Sequence, residues 1–243
     1  MVRPVTLVVD TGVDDALALV VAARHPALDL HAVVATAGNA SLGRVLANTT
    51  YVLDLLDLDV PVAAGVDRPL DGTAYPVRAV HGPDGLGGWG PGASPDPATF
   101  PSAGTLLGEG AATIVSLGPL TVVALVLGRV DPTENPVRVV ASCAAAGEAN
   151  HAMDPEAADL LARAGVPVSH DGGPGFGLPV PDPTVARALA ASTDRAAALV
   201  GRLLAHQVGR GAGIGDAGTI LRLAEPGIRS ATAVARLVQL AGG

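Results

Sequence analysis

The sequence predicts an α/β protein, with a mostly parallel central β-sheet covered by helices on both faces. Three observations point to it. Apolar runs of strand length alternate with longer segments of helical spacing, the order that a parallel, doubly covered sheet requires. Hydrophobic residues make up 49% of the 243 positions against 16% charged, which suits an extensive buried core and argues against disorder. The first apolar run also ends at a carboxylate and a glycine, and open α/β sheets bind ligands at such strand ends. One domain over 1–243 accommodates the whole pattern, and parallel neighbours imply right-handed crossovers.

Each element follows from a local pattern. Residues 5–9 are a continuous apolar run and read as a buried strand, and 16–23 read as an apolar helix. Residues 30–36 form the next strand, 42–58 a helix by spacing, and 60–64 a short strand. Strands are expected again at 111–117, 137–141 and 166–169, with helices at 120–127 and 155–164. The segment 185–208 is long and apolar-periodic and reads as one helix; an apolar helical run follows Asp216, and 230–240 closes the chain. Residues 67–101 and 170–183, rich in Gly, Pro and Asp, read as surface excursions, and loops that long tend to carry function.

Composition removes several classes of function. A net charge of −8 offers no concentrated positive surface for nucleic acid. All 15 basic residues are arginines, so there is no P-loop lysine, no Schiff base and no lysine beside a phosphoaspartate. No uninterrupted apolar run reaches membrane-spanning length, and the opening Met1-Val2-Arg3-Pro4 has no signal-peptide pattern, so a cytoplasmic, membrane-free protein is expected. The lone Cys143, in a run of small residues, reads as a buried inert thiol. Aromatic side chains are scarce (Tyr51, Tyr75, Trp89, Phe100 and Phe176), which leaves a ligand few stacking surfaces.

The chemistry concentrates at strand ends. Asp10 ends the first strand, and Asp14 and Asp15 open the following helix. A helix N-terminus favours negative charge, so capping explains one of these acids but not three. Crowded carboxylates beside an apolar sheet need neutralising, and a hard divalent cation prefers carboxylate oxygens. Asn39 follows the second strand, where an amide serves equally as turn residue, helix cap or ligand. The glycine break after Leu117 frees a main-chain carbonyl of the kind that coordinates calcium. Glu148, Asn150 and His151 follow the 137–141 strand, and Asp154-Pro155-Glu156 opens a helix. Asp216 either caps the late helix or reaches the ion; spacing leaves both open.

Taken in order, these segments resemble the inosine–uridine-preferring nucleoside hydrolase family. Val8-Val9-Asp10-Thr11-Gly12-Val13-Asp14-Asp15 aligns with its Asp-Thr-Asp-Pro-Gly-x-Asp-Asp opening, and His81-Gly82-Pro83-Asp84-Gly85-Leu86-Gly87 is similar to its His-Gly-x-x-Gly-Leu-Gly loop. Gly118-Pro119-Leu120-Thr121, the Glu148 to Asn150 stretch, Asp154-Pro155-Glu156-Ala157-Ala158 and Asp216 complete the match. The resemblance implies a Rossmann-like nucleoside hydrolase fold and a Ca2+ ion held by Asp10, Asp15, Asp216 and the main-chain carbonyl of Leu117. It implies a riboside held by Asp14, Asn39, His81, Glu148 and Asn150, with Asp10 taking the proton from the attacking water. The implied reaction is hydrolysis of an N-glycosidic bond, releasing ribose and base, in a homodimer or homotetramer.

The departures are as specific as the matches. Val8 and Thr11 replace the opening's first Asp and its Pro, and Ser142 stands where the family has a ribose-contacting asparagine. Pro167-Val168-Ser169-His170 replaces a Leu-Asp-Val-Thr segment, and the region between Pro183 and Asp216, which helps wall the base pocket, is short. Gly215 stands where family members carry a histidine or tryptophan that helps the base depart. His81, His151 and His170 are the imidazoles available to replace it, although a lone histidine in a glycine-rich loop is more often solvated. The competing reading is therefore a catalytically weak or inactive relative that binds ribosides or calcium. A phosphotransferase with an aspartate nucleophile is disfavoured by the absence of lysine.

Overall fold

A computed structural model describes residues 2–75, 79–108, 113–133, 136–173 and 177–242. Among these described residues six strands form one sheet: β1 (Arg3–Val9), β2 (Leu28–Ala35), β3 (Val62–Ala64), β4 (Thr113–Ser116), β5 (Arg138–Ser142) and β6 (Val168–Asp171). Their order is β3-β2-β1-β4-β5-β6 and every pairing is parallel. This is the doubly wound arrangement, with its order reversing between β1 and β4. The register pairs Val9 with Ala35, Val8 with Ser116, Ser116 with Ala141 and Ser142 with Asp171. All carboxyl ends therefore meet along one edge, and the reversal opens a crevice there.

Ten helices accompany the sheet in the described residues: α1 (Val13–Arg24), α2 (Leu42–Leu55), α3 (Ala103–Leu107), α4 (Thr121–Leu127), α5 (Ala149–Met153), α6 (Pro155–Arg163), α7 (Pro183–Ala190), α8 (Arg195–Arg210), α9 (Asp216–Ala224) and α10 (Ser230–Gly242). Alternate strand residues sort them onto two faces. Leu7, Val33, Val115 and Val140 pack with α1, α8, α9 and α10, whereas Val8, Val34, Ile114 and Val139 pack with α3, α4 and α6. Helix α1 is buried along nearly its whole length, which explains its lack of a polar face. No helix among the described residues is long and apolar enough to cross a membrane.

Three expectations are revised. The segment 185–208 is two helices, because Asp194 turns the chain and caps α8 by accepting the Ala197 N–H at 2.6 Å. The excursion at 67–101 is not merely surface: Leu86 is fully buried, and Asp84 gathers the N–H groups of Leu86, Gly88 and Gly90 at 2.7–3.0 Å. Strand β6 starts two residues later than the apolar pattern indicates, after Pro167. Residues 111–112 of the fourth expected strand lie outside the described residues, as do Phe176 and residues 76–78 and 174–175 of the two excursions.

Candidate functional site

The site begins with the turn from β1 into α1. Gly12 caps the helix, and the Asp15 carboxylate reaches back to accept the main-chain N–H of Gly12 at 3.0 Å and of Asp10 at 3.3 Å. Asn39, after β2, donates its main-chain N–H to Asp10 Oδ2 at 2.8 Å. Its Nδ2 reaches Asp10 Oδ1 at 3.1 Å and Asp15 Oδ2 at 3.2 Å. One amide side chain therefore holds two acids side by side. Gly38 makes this possible, since a Cβ there would collide with Asp10 Oδ2. A Cβ on Gly12 would lie 2.7 Å from both Asn39 Nδ2 and His81 Nδ1.

The late aspartate arrives on α9. Carboxylate oxygens of Asp14, Asp15 and Asp216 lie within 4.8 Å of one another. Asp216 is 7% exposed and accepts the Ser142 hydroxyl at 2.7 Å, so the end of β5 fixes its orientation. Asp10 is not one of the three and sits behind them, held by Asn39. Among the described residues no arginine bonds any of these four acids.

Burial is the main electrostatic stress. It raises Asp10 well above the usual carboxylate range, with the Asp15 charge adding to it. It raises Asp216 likewise, with Asp14 and Asp15 next. Asp15 is pushed up to about 7 by burial and then by Asp14. Such a cluster is costly without a counter-charge. The donor set is all oxygen and a hard divalent cation fits it, since three carboxylates that repel one another bind such an ion at once.

A cavity of about 190 Å³ opens beside the cluster, lined among others by Asp14, Asn39, His81, Leu117, Asn150 and Asp216. The sheet edge thus brings six of the nine expected site residues to one space. Asp10 and Asp15 are buried next to it, at 1% and 0% exposure. Asn150 donates Nδ2 to the Leu117 carbonyl at 2.6 Å and to the Ser142 carbonyl at 2.8 Å, tying β4 to β5 at the freed carbonyl. Glu148 caps the short α5, and both of its oxygens accept main-chain N–H groups, from Ala145 at 2.9 Å and from Gly173.

His81 lines the cavity, whereas His170 is exposed on β6 and His151 does not line it. The Val13 N–H donates to His81 Nδ1 at 3.0 Å, which places the ring proton on Nε2. The 3.8 Å approach of the same nitrogen to Asp14 becomes an ion pair only if the ring is protonated, and that would break the bond to Val13. Cys143 is only half-buried rather than buried, at a positive φ of 48°, and lines the cavity. Its thiol, pushed up to about 11 chiefly by burial, stays protonated and unreactive. Sequence reading missed α5 and the contribution of Gln207, which also lines the cavity. No periodicity marks a five-residue helix, and a glutamine in an apolar-periodic segment carries no signal of its own.

Fold and site together define a doubly wound α/β protein with a cluster of three carboxylates, able to hold a divalent cation, at its topological switch point. The pattern that describes the inosine-uridine preferring nucleoside hydrolases matches residues 5–207, and this chain belongs to that family. It is 37% identical over 187 residues to the pyrimidine-specific ribonucleoside hydrolase RihA of Salmonella typhimurium, a match covering 69% of this chain and 59% of that one. A RihA of a Shewanella species (strain MR-7) is 36% identical over 188 residues, covering 70% and 58%. The chain thus spans under two thirds of the length of these curated relatives. The fold is shared with a purine-preferring ribonucleoside hydrolase from Gardnerella vaginalis (TM-score 0.78, 24% identity, 92% of this chain and 80% of that one). It is similar to a plant nucleoside hydrolase (TM-score 0.77, 25% identity, 92% and 79%). The family pattern matched here ends before Asp216, and the geometry independently brings that residue to Asp14 and Asp15.

Proposed function

We propose that this chain hydrolyses the N-glycosidic bond of a ribonucleoside or related riboside with the help of Ca2+. The observation that carries the reading is the convergence of Asp216 with Asp14 and Asp15 within 4.8 Å, across some 200 residues of chain. Asp15 and Asp216, with Asp14 close enough to share it, would hold the ion, and Asp10 and the Leu117 carbonyl are the further ligands that the family resemblance implies. When bound, such an ion supplies positive charge that orients the reactants and eases loss of a proton from water. Asp14, Asn39, His81 and Asn150, which line the cavity, would bind ribose hydroxyls there, and Glu148, next to Ala149 of that lining, would join them. Asp10, buried and steered by Asn39, takes the proton of the attacking water. The nearby carboxylates stabilise the positive charge that develops on the sugar as the base leaves. A cytoplasmic location suits a chain whose single thiol has no partner for a disulfide.

The test is to incubate the protein with Ca2+ and a panel of purine, pyrimidine and p-nitrophenyl ribosides and measure free ribose. Calcium-dependent release that Asp216→Ala abolishes supports the hydrolase. A second reading, a riboside or calcium binder without turnover, is favoured by Gly215, which caps α9 beside Asp216 and offers no side chain to the leaving group. Calcium binding with silence on every riboside, the activated one included, would establish it instead.

A further inference from the structure

Helix α8 contributes to the cavity a residue that neither the carboxylate cluster nor the apolar core uses. Gln207 is 3% exposed and lines the cavity together with Val80, Met153, Ala212, Gly213 and Asp216. Its Nε2 donates to the Gly213 carbonyl at 3.2 Å. A carbonyl only accepts, so this bond fixes which end of the carboxamide is the oxygen. That oxygen, Oε1, is shut from solvent and has no donor among the described residues. Buried acceptors without donors are rare in folded proteins because the desolvation is uncompensated. Two other buried side-chain oxygens in the same state, on Asn48 and Thr219, do not line the cavity.

The surroundings define what supplies the missing donor. Asp14, Asn39, Asn150 and Asp216 give the cavity a polar, oxygen-rich part, whereas Val80, Met153, Ala212 and Gly213 are apolar or small. A ligand group fitting against the latter is apolar or planar and brings its own N–H. The terminal torsion of a glutamine is soft, so Oε1 turns toward such a group at small cost.

We infer that Gln207 is a specificity-determining residue: its Oε1 accepts an N–H from the leaving heterocycle of a riboside. The chain then selects bases with a ring imide or lactam N–H over their N-methylated counterparts. The inference rests on the hydrolase reading of the same site. An amide has no proton to release at neutral pH, so Gln207 orients the leaving group and does not protonate it.

The experiment compares kcat/KM of the calcium-loaded full chain on two pairs, uridine with 3-methyluridine and inosine with 1-methylinosine. The wild type prefers the N–H member by about tenfold or more in at least one pair. Gln207→Met, of similar size without the acceptor, brings that ratio to about one, and Gln207→Glu, which keeps an acceptor, retains it. The ratio within one variant is independent of how much of it folds. A wild type without preference, or an unchanged ratio in Gln207→Met, overturns the assignment while leaving the hydrolase reading intact. A purely structural role would lower both members equally and leave the ratio unmoved. Silence on all ribosides, p-nitrophenyl riboside included, overturns both together.

Discussion

The two ends of the cavity are built on opposite plans. At the carboxylate end, acidic oxygens are met by specific donors: Asn39 bonds Asp10 and Asp15, the main-chain N–H groups of Asp10 and Gly12 bond Asp15, and Ser142 bonds Asp216. At the α8 end the wall is Val80, Ala212 and Gly213, with one amide, Gln207. The first end stores charge, held in place before any ligand arrives. The second offers shape and a single acceptor. Under the hydrolase reading, this protein supplies much for the sugar and the water and little for the departing base, so the chemistry suits leaving groups that need no acid.

The comparison breaks most decisively at Asp10. Asp10→Ala should lower kcat by about 10²–10⁴, the usual weight of a general base, in steady-state assays on the best riboside. A loss under tenfold would move the base elsewhere. Next is the opposite end. Placing an acid where none stands, by Gly215→His, should raise kcat on unactivated nucleosides by up to about 100-fold and change p-nitrophenyl riboside little. Equal gains on both substrates would mean that the leaving-group end is not deficient.

Ser142→Ala removes the hydroxyl that orients Asp216. Calcium affinity, measured by titration calorimetry, should weaken by about tenfold, as for other groups that steady a metal ligand. Unchanged affinity would show that α9 alone places the carboxylate.

The smallest effect is thermal and depends on pH. Asp15 rises from an ordinary 3.8 to about 7 in the folded protein, through burial first and then the charge of Asp14. Between about pH 4 and 7 the folded state keeps a proton that the unfolded chain has released. Stability of the ion-free protein therefore falls as pH rises through this window, and the contribution is gone above it. A bound cation replaces the proton, so Ca2+ should raise Tm by a few degrees at pH 8 and by less at pH 5, measured against EDTA. A larger shift at pH 5 would contradict the assignment of charge to this end.

How much was legible follows the same division. Strand β1 and helix α1 were visible because a buried parallel strand is an apolar run and a helix buried on all sides is apolar throughout. The acids Asp10, Asp14 and Asp15 were visible because local crowding of like charge has no cheap structural explanation. The α7–α8 break was not, since apolar spacing continues across it and only the cap at Asp194 marks the turn. For Asp216, helix capping and ion binding were equivalent from spacing; the structure gives the cap position to Gly215 and brings the Asp216 carboxylate to Ser142 and to the early acids.

The sequence by itself determined the α/β class, the strand-end carboxylates and the family, because each is written in neighbouring residues: periodicity, charge crowding and short motifs. Tertiary structure decided which acids share one space, that His81 takes its bond from Val13, and that Gln207 faces the site with an unmet acceptor. Those facts depend on distances between residues far apart in the chain. Such distances are fixed by strand order and helix packing, which local spacing does not encode.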